Sequence, residues 1–321
     1  MQTAALPTRP LLSPWHRVAR QDGRILLEHA GTLASFGGAA VATLVPALLP
    51  LLDGTRTVGE TVERLGERVA PAVERALEAL AGAGALTEGP ALAAEAPSQA
   101  RTARFLGSLS PKHGPVSVLE RVKQSHVTVA GTGASADAVA DLLTRSGVGH
   151  IDRTSLDDVE RRPIDLLIAA PGGAELASLD VINTAVLERP LVWLPIFPYD
   201  GRQALVGPLI VAGESCCYRC YALRRASTSG YREELRALEE VPLPDLDTPP
   251  LAAMTSAVAA ILGLRWLAWR DPELPGRAHA VEQWPTLKVT VHTVHRVPRC
   301  PSCSPISRFA APAPWSEAGP V

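Results

Sequence analysis

Cys217 and Cys220 form one C-x-x-C pair, in SCCYRCYAL, and Cys300 and Cys303 form a second, in RCPSC, with 79 residues between the pairs. A two-residue gap lets both thiolates of one turn face the same ion, so two such pairs suit tetrahedral Zn2+ at Zn–S distances of about 2.3 Å. Four sulfurs fill the coordination sphere and leave no position for a reacting water. The zinc expected here is therefore structural, tying a long excursion of the chain back onto its end. Disulfides and redox dithiols are the competing readings. The opening MQTAALPTRPLLSPW, broken by prolines and an arginine, is no secretory apolar region, and the proline-laced RVPRCPSCSP does not open a helix as a thioredoxin-type pair does. Cys216 is expected to be a bystander, its alternative being a nucleophile that forms a thioester with an activated carboxylate.

A second stretch with chemical potential is VAGTGASA, which matches G-x-G-x-x-A at Gly131, Gly133 and Ala136. It follows a hydrophobic run and precedes an amphipathic one, the context in which a phosphate sits on a helix N-terminus. Tight strand-to-helix packing needs the same glycines, so both readings stay open. The histidines His126, His150, His279, His292 and His295 are scattered, and no Ser/His/Asp set follows from their spacing.

These groups must be positioned by two kinds of element pattern. Residues 15–38 read as three short strands separated by the turn signals QDG and HAG. Helical patterns follow: AVATLVPALLPLLDG, then TVGETVERLGE with Thr57 as N-cap and Glu60 completing a capping box, then PAVERALEALAGAGAL with Pro71 in the first turn. Residues 91–104 read as a linker. Beyond it, strand, glycine turn, helix and strand alternate through HVTVAGTGASADAVADLLTRSGVGHI, IDLLIAAPGG and RPLVWLPIF, which predicts a parallel α/β sheet. Residues 224–250 read as a long crossing loop with one short helix, HAVEQWPTLKVTVHTVHRVPRC as returning strands, and 304–321 as a flexible tail.

Composition narrows the function classes. With 31 Lys+Arg interspersed among 33 Asp+Glu and a net charge of -2, no basic face is set aside for a nucleic-acid backbone. The apolar run from Gly37 to Leu52 is broken by prolines and is short for a bilayer, and LAAMTSAVAAILGLRWLAWR carries Arg265. Both read as buried helices, and the expectation is a cytoplasmic protein that binds neither nucleic acid nor membrane.

With SGVGHI opening the second strand of the sheet and the paired knuckles closing the chain, residues 105–303 resemble the ubiquitin-activating E1-like (ThiF/MoeB) adenylating superfamily. The resemblance implies an E1/ThiF-like, Rossmann-type domain, and it also shows departures. Ser155 stands where that family has its ribose-binding aspartate, while Asp157 and Val159 keep the rest of that motif. The Arg-Gln and lysine segment is missing because ERRP runs into the next strand. Ala169, Ala170, Pro171 and Gly172 replace Ala-Thr-Asp-Asn, removing the carboxylate expected to handle magnesium. The loop of Gly131, Gly133 and Ala136 is then a vestigial nucleotide loop.

An E1-like body without that machinery, behind a small three-strand, three-helix unit, resembles the ocin-ThiF-like proteins of ribosomally made, modified peptide pathways, and VGPLIVAGESCCYRCYALRR carries the likeness. The resemblance implies a non-catalytic protein that binds a precursor's leader peptide and activates a YcaO-type cyclodehydratase in azole or thiopeptide biosynthesis. Residues 11–90 would be a winged-helix recognition element similar to the pyrroloquinoline-quinone peptide chaperone. The leader would add as a strand along Leu33, Ala34, Ser35 and Phe36, with Val73, Arg75, Leu77 and Leu80 contributed by the third helix. Leu33, Phe36, Val73, Leu77 and Leu80 could equally be ordinary core, because one face of that sheet must be buried. Arg64 and Arg68 are candidates to meet acidic leader residues, and Arg224, Arg225 and Tyr231 to meet a partner enzyme. The resemblance also allows a homodimer through the E1-like body. The alternative readings are an E1-like ATP-dependent adenylyltransferase acting on a peptide or carrier carboxylate, and a dehydrogenase that holds NAD on the glycine loop.

Overall fold

The structure, a computed structural model, describes residues 5–92, 97–158, 164–189, 191–230, 234, 238 and 241–304. The chain divides into two compact units, Met1–Lys123 and Gln124–Val321.

In the first unit β1 (Pro10–Leu12) pairs antiparallel with β5 (Leu86–Glu88), and β2 (Arg17–Gln21), β3 (Arg24–His29) and β4 (Thr32–Phe36) form an antiparallel meander. Both meander turns hold two residues, Asp22-Gly23 and Ala30-Gly31, all with positive φ, so they are of type I′ and match the twist of the strands they join. The expected helix over 37–52 is broken into α1 (Ala39–Thr43), α2 (Val45–Leu48) and a 3-10 turn at Leu49–Leu51. Pro46 and Pro50 lack the N–H that would continue one ladder, and each sits at the start of a new segment where none is needed. α3 (Val58–Leu65) starts at Thr57, whose hydroxyl accepts from the Glu60 amide while the Glu60 carboxylate accepts from the Thr57 amide at 2.7 Å. α4 (Ala70–Gly82) turns Val73, Leu77 and Leu80 into a core shared with Ile25, Leu27, Leu48 and Leu52. Each such side chain contributes about 1.5–3 kcal/mol of burial.

The expected linker over 91–104 is helical from Pro97: α5 (Pro97–Leu109) buries Ala103, Leu106 and Gly107. Gly107 is required there, because a Cβ would lie 2.6 Å from the Trp15 ring. α6 (Pro115–Gln124) follows.

The second unit is an α/β sheet of eight strands. β7 (His150–Thr154), β6 (His126–Ala130), β8 (Leu166–Ala169) and β9 (Val192–Phe197) run parallel. β10 (Gln203–Val206), β12 (Arg277–Glu282) and β13 (Lys288–Thr293) continue the sheet antiparallel, and β11 (Ile210–Val211) pairs beside β9. Its helices among the described residues include α7 (Ala134–Arg145), α8 (Ser178–Leu187), α9 (Tyr218–Thr228) and α10 (Pro249–Trp269). α10 is long and apolar enough to cross a membrane, yet two thirds of it is buried inside the unit, as in a core helix. β6, β8 and β9 are almost wholly buried and read as continuous apolar runs, the pattern of a sheet covered on both faces. Val159, Tyr231 and the tail beyond Ser304 lie outside the described residues.

Candidate functional sites

The four cysteines converge. α9 begins immediately after Cys217, which sets Cys220 in its first turn, and the turn after β13 brings up Cys300 and Cys303. The sulfurs all lie within 4.8 Å of one another, with Cys217–Cys220 at 3.8 Å, Cys217–Cys300 at 3.7 Å and Cys220–Cys303 at 3.5 Å. A tetrahedron with metal–sulfur bonds of about 2.3 Å has edges of about 3.8 Å, close to these three separations, so the group could hold a metal ion. Three of the four are buried and Cys303 is half-buried. The thiol of Cys220 is held down at about 4, first by the hydrogen bond that Cys217 donates to it, with the Val297 amide at 3.3 Å acting in the same direction. That same hydrogen bond raises Cys217.

Arginines hold the two knuckles together from outside. Arg224 donates from Nε to the His295 carbonyl at 2.8 Å, and Arg296 donates to the carbonyls of Gly213 at 2.9 Å and Cys303 at 3.2 Å. Cys216 is buried beside the cluster but outside the four, and burial pushes its thiol up to about 12. A thiol so disfavoured as an anion is a poor nucleophile.

The glycine loop is drawn tight against the end of β8. Gly131 has φ +121°, and a Cβ there would meet the Ala170 carbonyl oxygen at 2.1 Å. Gly133 precedes α7, and Ala136 is buried in its first turn. Around the loop the polar groups satisfy one another. The Glu175 carboxylate accepts from the Thr132 hydroxyl at 3.2 Å and from the Gly172 amide at 2.8 Å. Arg153 is bound to Asp137 at 2.7 Å, and Ser155 donates to Asp158 at 3.0 Å. Glu175 and Arg153 are contacts that sequence reasoning missed. The one available signal was a carboxylate three residues beyond Gly172 in PGGAEL, the spacing of a turn closed by its own side chain.

The third region is the free edge of the meander. A two-residue turn makes His29 and Thr32 a hydrogen-bonded pair, so Ala34 and Phe36 also exchange bonds with β3. The N–H and C=O groups of Leu33 and Ser35 consequently point away from the sheet, toward an edge that carries no other strand among the described residues. The Leu33 and Ser35 side chains are exposed, while Ala34 and Phe36 pack toward the core. Arg75 is exposed on α4, as are Arg64 and Arg68 on neighbouring segments. Val73, Leu77 and Leu80, expected to line an open groove, are instead fully buried. The single apolar stripe of a short amphipathic helix is used up by its own core.

Similarity to known proteins agrees with this architecture. No protein-family model matches the chain. Among solved structures, the heterocyclase TruD is 25% identical with a TM-score of 0.70, covering 93% of this chain and 43% of that one. A heterocyclase in complex with substrate and cofactor is 24% identical with a TM-score of 0.70, covering 92% and 39%. E. coli MccB, solved with ATP, is 13% identical with a TM-score of 0.63, covering 92% and 99%. Ubiquitin-like modifier-activating enzyme 5 of Aedes aegypti is 36% identical over 67 residues, 21% of this chain and 17% of that one. The chain thus spans about two fifths of the heterocyclases' length. Its fold is E1/ThiF-like, and the resemblance to ocin-ThiF-like proteins carried by VGPLIVAGESCCYRCYALRR is borne out by these neighbours.

Proposed function

We propose that this chain is a non-catalytic subunit that captures the leader of a ribosomally made precursor peptide and delivers it to, and activates, a separate YcaO-type cyclodehydratase that forms azoline or azole rings in thiopeptide or related biosynthesis. The observation that carries the reading is the likeness to the heterocyclases. The heterocyclases match over more than nine tenths of this chain, while more than half of their own length has no counterpart in it. That likeness supports a place in heterocycle-forming biosynthesis, and the departures at Ser155, Pro171 and Gly172 support a binding role in it rather than an adenylating one.

Leader binding is assigned to the first unit as a winged-helix-type recognition element. The outward amides and carbonyls of Leu33 and Ser35 would extend the sheet by one strand. Ala34 and Phe36 would set the strand's height from below, and Arg75 would meet a carboxylate of the leader. Val73, Leu77 and Leu80 hold α4 in place beneath.

The four thiolates fit Zn2+ better than harder cations, because soft sulfur donors at tetrahedral spacing are its preferred set. Zinc would supply cross-linking only. Five free thiols suit a reducing, cytoplasmic setting.

The runner-up is an E1-like adenylyltransferase, favoured by the likeness to MccB, a protein solved with ATP. Against it stand the Glu175 carboxylate beside the glycine loop, the neutralised Arg153, and Pro171 and Gly172 in place of a metal-binding acid. Adenylation needs cations on the triphosphate where the charge develops.

The test is fluorescence polarisation of a labelled leader peptide titrated with the full chain, beside calorimetry with Mg-ATP. Micromolar leader binding without tight ATP binding is the expected result. Tight ATP binding with pyrophosphate exchange overturns the reading in favour of the adenylyltransferase.

A further inference from the structure

α9 carries a polar face where a helix beside a sheet ordinarily carries an apolar one. Tyr221, Arg224, Arg225 and Thr228 recur at i, i+3, i+4 and i+7, the spacing of one helical face, and all four line a cavity of about 450 Å³. The facing wall is apolar, with Phe197 from the end of β9, Leu205 from β10 and Ala278 from β12, all buried. Small-molecule sites occupy roughly 300–1,000 Å³ and set a few polar groups against such a wall. The Tyr221 ring is fixed, its centroid 5.1 Å from that of Phe197 and 6.1 Å from that of Tyr218. Burial raises its hydroxyl to about 12, so it stays a donor at neutral pH. A tyrosine hydroxyl so desolvated ordinarily finds a partner, and this one has none among the described residues. Charge on the rim is unbalanced as well. Arg202 and Arg225 make no ion pair among the described residues, and Arg224 donates to the carbonyls of His295 and Arg296. The rim carboxylates are already engaged: Glu282 is bound to Lys288 at 3.1 Å, and Asp200 accepts from the amides of Arg202 and Gln203 at 3.0 and 2.9 Å.

We propose that this cavity binds a carboxylate carried on an apolar body, with Arg225 and the Tyr221 hydroxyl taking the carboxylate and Phe197 and Leu205 the apolar part. A guanidinium presents paired N–H donors that match a planar carboxylate, and the phenol adds a further donor beside it. A neutral amide in the same place would leave the guanidinium without its counter-charge. The site lies wholly within the second unit, whereas the meander edge belongs to the first, so the inference stands apart from the leader-binding reading. Two sources offer this chemistry, the chain end of a peptide and a free organic acid.

The experiment titrates the full chain with N-acetyl-para-fluorophenylalanine, followed by fluorine NMR, beside its primary amide and an alanine peptide that ends in the same residue with a free carboxylate. Melting temperature and metal per chain are measured on each protein as controls of folding. The acid should bind, and the amide should bind at least about tenfold more weakly, the loss expected when a charge-assisted hydrogen bond is removed. R225Q and Y221F should each weaken the acid by about tenfold, with melting temperature and metal content unchanged. Peptide binding as tight as that of the single residue, or tighter, assigns the site to a peptide's chain end, and exclusion of the peptide assigns it to a free organic acid. Equal binding of acid and amide, unchanged affinity in both variants, or no binding of any probe overturns the proposal. Inorganic phosphate that displaces the acid at equal concentration overturns it in favour of a phosphate site. None of these outcomes touches the leader-binding reading, which is tested on the first unit.

Discussion

Stripping the metal from the cysteine cluster should bring the second unit to the edge of unfolding. The two knuckles are 83 residues apart in sequence, both between Cys217 and Cys300 and between Cys220 and Cys303. Treated as a cross-link that closes a loop of that length, the site removes about 4.5 kcal/mol of chain entropy from the unfolded state. That is a large share of the roughly 5–15 kcal/mol that stabilises a typical domain. At about 2–4 °C per kcal/mol for a unit of this size, chelation should lower the melting temperature by roughly 9–18 °C. Differential scanning calorimetry before and after chelator treatment measures this, with elemental analysis giving the metal per chain. Cys303→Ser should reproduce most of the loss, since it breaks the ligand set at its half-buried member, whereas Cys216→Ser should leave metal content unchanged. A chain that carries no metal as purified, or whose melting is unmoved by chelation, refutes the cross-link argument.

Gly131→Ala should cost at least about 2–3 kcal/mol in urea unfolding, because it adds a Cβ at φ +121° and 2.1 Å from a backbone oxygen, while Gly133→Ala, whose Cβ has open space out to 4.0 Å, should cost under about 1 kcal/mol; equal costs would contradict the tight loop. Ser35→Pro removes an outward N–H and should weaken leader binding at least tenfold with little change in melting temperature. Ala34→Pro removes an N–H bonded to β3 and should instead destabilise the first unit. Burial first, then His29, holds His16 below its ordinary value of 6.5, and burial first also lowers His113 and His279. The unfolded chain therefore binds more protons in this range, so stability present above pH 6.5 should fall as pH drops below it and level off once the folded-state groups titrate. Replacing the three histidines with glutamine should flatten that slope in a pH series of urea melts.

Local signals in the sequence located the elements well where a residue's own chemistry decides the outcome. The QDG and HAG turns, the Thr57–Glu60 capping box and the two C-x-x-C pairs each act within a few residues, and each is found where its spacing places it. The misses come from contacts made across the chain. The part of α5 inside the expected linker, Pro97–Arg104, buries only Ala103, and one small residue gives no hydrophobic period. Val73, Leu77 and Leu80 were identified as a stripe, yet a stripe does not reveal whether it meets a core or a ligand. The contact of Glu175 with Thr132 joins residues 43 apart, and no local pattern announces it.

The neck formed by the four sulfurs also has a topological meaning. With a metal ion bound, it would close α10, β12 and β13 into one lobe whose two stems meet at the sulfurs. Such a lobe could grow: doubling the length of its crossing segment adds only about 0.6 kcal/mol of closure cost, because that cost rises only with the logarithm of the length. Protease cleavage inside the lobe would likewise leave two fragments held together, by a bound ion and by the pairing of β10 with β12. The crossing segment is accordingly the place in this chain where inserted sequence can accumulate without disturbing the sheet.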